Sequence, residues 1–165
     1  MTDYFELVGI PRRFGVDVGE LRRKYLQLSR EFHPDFHTLA GEEAIRKMEE
    51  QSAQLNLAWQ KLSDERLRLE YLIQLEGIVL EVQVLPGEFL MEMMDLNERI
   101  EEDGRTGAVV EDIQSGRRDC WESAMLSAQE YDLAQDLERR RNALQKASVS
   151  ILCLKYYDRL REDFS

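Results

Sequence analysis

The sequence predicts an all-α chain, and three observations support it. Apolar residues recur at helical spacing, as in Leu21, Tyr25, Leu28 and Phe32, and again in Met48, Leu55, Trp59 and Leu62. Strand-like alternation is almost absent from the first half of the chain. Gly9, Pro11, Pro34, Gly77 and Pro86-Gly87 mark the ends of helical runs. The predicted architecture is a helical hairpin flanked by short helices over residues 1–76, a linker over 77–87, and a three-helix bundle over 88–165.

The first helix lies within Asp3 to Pro11, closed by Gly9 and Pro11, with Tyr4, Leu7 and Val8 on one face. Asp17, followed three residues later by Glu20, is close to a capping box, so the second helix starts near residue 18. Its outer side carries Arg22, Arg23, Lys24 and Arg30, a run that also suits a merely solvated face. Pro34 lacks an amide hydrogen and biases His33 away from helical angles, which ends this helix at about residue 32. A third helix follows from about Glu42 to Leu62, and its apolar face matches that of the second, so the two pack antiparallel. The tripeptide His33-Pro34-Asp35 then sits at the tip of the hairpin, with Asp35 able to bond backbone amides of the turn. Ser63-Asp64-Glu65 caps a fourth helix containing Leu67, Tyr71 and Leu72, which Gly77 terminates.

Beyond Pro86-Gly87, a helix from about Glu88 to Asp103 carries more apolar residues than one face can use. Phe89, Met93, Leu96 and Ile100 form one stripe, whereas Leu90, Met91 and Met94 fall about 100° to 200° away from Phe89. Such a surplus means either burial on two sides or an exposed binding patch. Methionine's flexible thioether suits an adaptable surface, and the interleaved Glu92, Asp95 and Glu98 supply a polar rim. Gly104 to Gly107 is a turn. Helical sequence then runs to Phe164, too long for one helix of a compact domain, which places a reversal near Arg139 to Asn142, with Gly116 as the alternative. Leu144, Ala147, Ile151, Leu154 and Tyr157 line the core side of the last segment.

Composition narrows the function. The chain of 165 residues is 43% hydrophobic and 33% charged, as in a soluble globular protein. No apolar run approaches the roughly 20 residues that cross a bilayer, and the acidic start Met1-Thr2-Asp3-Tyr4 lacks the features of a signal peptide, so a cytosolic protein is expected. A net charge of -11 opposes nucleic-acid binding. The acidity is concentrated after residue 75, where 20 acidic residues face 11 basic ones, against 13 and 11 before it. Two halves of different electrostatic character suit two different partners. Cys120 and Cys153 lie too far apart in sequence to suggest a disulfide framework and read as small hydrophobes. His33, Asp35 and His37 are potential metal ligands and include both histidines of the chain. All three share one bend without a motif that completes a site, so metal-dependent catalysis is the weaker reading.

A short helix, a basic second helix, His33-Pro34-Asp35, a third helix with Gln51-Ser52-Ala53-Gln54-Leu55-Asn56-Leu57-Ala58-Trp59 and then Ser63-Asp64 together resemble the J-domain co-chaperones. The opening Asp3-Tyr4-Phe5-Glu6-Leu7-Val8-Gly9-Ile10-Pro11 and the stretch Arg68-Leu69-Glu70-Tyr71-Leu72-Ile73 are similar, more narrowly, to HscB, the J-protein family dedicated to iron-sulfur cluster biogenesis. One departure is Phe36, where many J-domains have Lys or Arg. The sequence opens at the J-domain-like stretch, so a member of the bacterial type is expected; human-type members carry a zinc-binding segment before the J-domain.

The resemblance implies an activator of a chaperone ATPase, itself no enzyme, needing no cofactor or metal. Arg22, Arg23, Lys24 and Arg30 with His33, Pro34 and Asp35 would dock on an HscA-like or other DnaK-type chaperone. The bundle would bind an IscU-type iron-sulfur scaffold protein through Leu90, Met91 and Met94, with Asp95 and Glu98 at the edge and Tyr156 as an aromatic from the last helix. A J-protein serving a different client is the alternative.

Overall fold

A computed structural model describes residues 2–32, 41–80 and 84–162. Among them the regular structure is all helical: α1 (Tyr4–Val8), α2 (Val18–Glu31), α3 (Glu42–Ser63), α4 (Glu65–Leu75), α5 (Gly87–Asp103), α6 (Gly107–Leu133) and α7 (Leu137–Glu162). It divides into two compact units, residues 1–72 and 73–165, so the division falls within the last turn of α4.

In the first unit the predicted caps are in place. Asp17 accepts hydrogen bonds from the amides of Gly19 at 2.8 Å and Glu20 at 3.1 Å, satisfying two donors that the first turn of α2 cannot. Glu20 does not complete the box, since its carboxylate lies 3.5 Å from the Lys24 ammonium. Asp64 likewise accepts from the Leu67 amide at 2.8 Å and starts α4. Gly9, at φ 71°, closes α1 in the left-handed region that favours glycine. The expected face of α1 is displaced by one residue: Phe5 and Val8 are buried, while Tyr4 and Leu7 are only partly so. In α4 the Tyr71 ring stacks on both Tyr4 (4.9 Å between centroids) and Phe5 (5.9 Å). The Tyr71 hydroxyl also accepts from the Tyr4 amide at 2.9 Å. Burial pushes the Tyr71 phenol above its ordinary pKa.

The α2 and α3 faces meet as their spacing requires. Leu21, Leu55, Ala58 and Leu62 are fully buried, and Tyr25 leans on Trp59 with centroids 5.0 Å apart while its hydroxyl donates to Asn56 at 2.9 Å. Arg68, 2% exposed, places its guanidinium 5.4 Å from the Phe14 ring centroid, a cation–π contact.

In the second unit, α6 and α7 form a long antiparallel pair with α5 packed on one end. Thr106 caps α6 through the Val109 amide at 3.4 Å. The reversal lies at Ala134 to Asp136, three to five residues before the predicted site, and Arg139 to Asn142 form the first turns of α7. Asp136 accepts from the Arg139 amide at 2.8 Å, and Arg140 donates to the Ala134 carbonyl at 3.1 Å, so cap chemistry makes this turn without glycine or proline. Gly116 is no break. It sits inside α6 where the Tyr157 ring crosses, and a Cβ there would lie 2.6 Å from Tyr157 Cε1 and closer still to Cζ and Oη. The predicted stripe of α7 is buried throughout, from Leu144 to Tyr157.

Candidate functional site

The outward face of α5 exposes a group of neighbouring apolar residues. Phe89, Met93 and Leu96 point into the core with Val109, Ile113, Cys153 and Tyr157. On the other side, Met91 and Met94 are each 72% exposed and Leu90 45%. The predicted surplus is therefore an exposed patch within its own unit. Its orientation is fixed from behind: the Tyr157 hydroxyl donates to the Glu92 carboxylate, and the Phe89 ring meets Tyr157 edge-on at 5.6 Å. Burial and this carboxylate raise the Tyr157 phenol well above its ordinary pKa.

Tyr156, on α7, packs edge-on against Phe89 at 6.0 Å, which brings it to the residue adjoining Leu90. The Arg159 guanidinium lies 5.2 Å from the centroid of its ring. Asp95 and Glu98 are exposed at the margin. Asp95 accepts from Arg99 at 3.4 Å, and Arg99 continues to Asp112 at 2.8 Å, an exposed chain tying α5 to α6. Those two carboxylates raise the Arg99 pKa. Of the expected rim, Glu92 is thus partly committed inward. Arg99 was not anticipated, although its spacing from Asp95 is the i,i+4 signal of such a pair.

The basic side chains of α2 do not behave alike. Arg22, Arg23 and Arg30 are exposed. Lys24 is half-buried, with its ammonium donating to the Gly9 carbonyl, so it braces the end of α1 as well as carrying charge. Arg23 and Arg30 are seven residues apart and share a line along the helix. Between them Leu26 is 46% exposed, an apolar side chain within the basic face that the charge pattern did not single out. His33, Pro34, Asp35, Phe36 and His37 lie outside the described residues, as does the metal reading built on three of them. Among the described residues no group of three or more His, Cys, Asp or Glu side chains could hold a metal ion, and no helix is long and apolar enough to cross a membrane.

Comparison with known proteins matches both ends of the chain. The DnaJ domain family matches residues 3–71, and the HSCB C-terminal oligomerisation domain family matches residues 85–165. A co-chaperone protein HscB homolog of Aliivibrio salmonicida (strain LFI1238) is 31% identical over 166 residues, covering 98% of this chain and 94% of the relative. One from Vibrio cholerae serotype O1 (strain M66-2) is 41% identical over 102 residues, and that match spans 60% of each protein. Among solved structures, the chaperone HscB from Vibrio cholerae aligns with a TM-score of 0.63 at 27% identity, over 99% of this chain and 100% of that one. The human co-chaperone protein HscB aligns with a TM-score of 0.70 at 25% identity, over 99% of this chain and 80% of that one.

Proposed function

The chain belongs to the HscB family of co-chaperones, and on that premise we propose that it is a two-site adaptor for iron-sulfur cluster assembly. Residues 1–76 engage an HscA-like or other DnaK-type chaperone and stimulate its ATP hydrolysis. Residues 88–165 bind an IscU-type scaffold protein, and 77–87 join the two parts. The protein is an activator rather than an enzyme, working in the cytoplasm. The observation that carries this reading is the exposure of Leu90, Met91 and Met94 on a helix whose opposite face fills the core.

The residue chemistry supports each role. Arg22, Arg23 and Arg30 steer the first part toward an acidic partner, with Lys24 contributing charge from its braced position, and Leu26 adds apolar contact at the centre of that face. Asp35, which follows His33 and Pro34 in the sequence, presents a carboxylate to a partner cation. On α5, the two methionines and Leu90 form a deformable apolar contact, Tyr156 a rigid aromatic one, and Asp95 and Glu98 a polar edge. Holding client and chaperone together raises their effective concentration without tight individual contacts.

The test is steady-state ATP hydrolysis by the DnaK-type chaperone with this protein alone and with the scaffold. Stimulation greater with scaffold than without it, abolished by Asp35→Asn, is expected. Replacing Leu90, Met91 and Met94 with serine should remove only the scaffold-dependent part. Stimulation indifferent to scaffold would point to a different client, and no stimulation would refute the adaptor reading.

A further inference from the structure

Cys120 and Cys153 are separated by 33 residues in the chain, yet α6 and α7 place them at the same level of the bundle. The register is set by neighbours on both sides. Three residues beyond Cys120 and three before Cys153, the Ser123 and Ser150 hydroxyl oxygens lie 3.0 Å apart across the two helices. Four residues the other way, Gly116 admits the Tyr157 ring. Between these levels Cys120 packs against the core cluster that holds Cys153. Both are free thiols, Cys153 buried and Cys120 half-exposed.

We propose that Cys120 and Cys153 form a dithiol that a peroxide-class oxidant closes into a disulfide joining α6 to α7. The close approach of the helices supports this, because a disulfide demands Cβ atoms about 3.5–4.5 Å apart. Ser127, Ala128, Ala143, Ala147 and Ser148, all buried, keep the same interface narrow along its length. Access is one-sided. Cys120 meets the oxidant, and Cys153, packed among Phe89, Met93 and Tyr157, is the resolving partner.

The step balances with hydrogen peroxide as the only co-reactant. The Cys120 thiolate attacks one peroxide oxygen, the O–O bond breaks, and the departing hydroxide leaves as water with the thiol's proton. The resulting sulfenic acid is attacked at sulfur by Cys153, the S–O bond breaks, and a second water carries off the Cys153 proton. Each sulfur gives up one electron and the peroxide gains two. Its neighbour Cys153 and burial push the Cys120 thiol well above its ordinary pKa, so its thiolate is a small fraction and closure calls for excess peroxide.

The full chain, reduced and freed of reductant, would be treated with hydrogen peroxide and examined by intact and peptide mass spectrometry. The expected result is loss of two hydrogens, disappearance of both titratable thiols, and joined peptides carrying Cys120 and Cys153. The rate should be independent of protein concentration, and dithiothreitol should reverse the change. Tm should rise on oxidation, because the bridge closes a long loop of the unfolded chain. Oxygen added to Cys120 without a bridge, or a bridge formed only between molecules, would overturn the proposal. Cys120→Ser, a substitution that repeats the adjoining serine level, should stop the loss of hydrogens and the rise in Tm. A rise in Tm persisting in that variant would also overturn it.

Discussion

Gly116→Ala sets two opposed effects against each other. In an exposed helix interior, alanine is better than glycine by about 1 kcal/mol. Here the new methyl would lie 2.6 Å from Tyr157 Cε1 and nearer to Cζ and Oη, far inside van der Waals contact. The ring has little freedom to yield. Tyr157 is 1% exposed, its hydroxyl bonds Glu92, and Phe89 stands against it edge-on. Overpacking of this kind costs typically about 1–3 kcal/mol and sometimes more; a methyl this close to a held ring belongs in the upper half of that range, so after the propensity gain the variant should be destabilised by about 1–2 kcal/mol. For a chain of this size that corresponds to a fall in Tm of roughly 2–8 °C. The assay is thermal and urea unfolding followed by circular dichroism and by the fluorescence of Trp59 and Trp121. A double-mutant cycle with Tyr157→Leu isolates the contact, and the pair should be more stable than the sum of the single changes implies. Tyr157→Phe should not rescue, because Cζ remains in the way. If Gly116→Ala is as stable as the natural chain or more so, the close crossing of α6 and α7 is refuted.

Three further outcomes follow from named contacts. Replacing Asp17 with alanine strips the cap from two amides of α2 and should cost about 1 kcal/mol in urea unfolding; an unchanged midpoint would contradict the cap. Lys24→Met should lower stability by removing the brace on the Gly9 carbonyl, whereas Arg23→Ala should leave it unchanged and reduce the salt sensitivity of chaperone stimulation. Equal stability of both variants would show that Lys24 braces nothing. For pH, Tyr71 and Tyr157 hold their protons more tightly when folded, so their contribution is complete below about pH 10 and is lost as pH rises through the folded values. Tyr157→Phe should flatten the alkaline decline in Tm, and an identical decline in both proteins would count against its burial.

Much of this protein is legible along the chain because the controlling interactions are local. Asp17 and Asp64 cap helices through amides two or three residues away, and Gly9 closes α1 within one turn. Stripes such as Leu144, Ala147, Ile151, Leu154 and Tyr157 reach the core because burial follows helical period. The exposed face of α5 was legible for the same reason: Leu90, Met91 and Met94 exceed what one buried stripe can absorb. The basic face of α2 was visible as charge, though Leu26 within it was not.

Only the tertiary structure decided what depends on pairs of distant residues. Phe5 is the fully buried ring of α1, and both it and Tyr4 meet Tyr71, far along the chain, a contact no local pattern carries. Lys24 braces Gly9 because α2 returns past the end of α1. The reversal at Ala134 to Asp136 uses polar bonds that carry no glycine or proline signal. Gly116 reads as a breakpoint by propensity and proves to be a contact, and Cys120 and Cys153 read as unrelated until α6 and α7 align them. Helical period sets the direction of a side chain about its own axis; which residue it meets depends on the register and separation of two helices, and packing sets both.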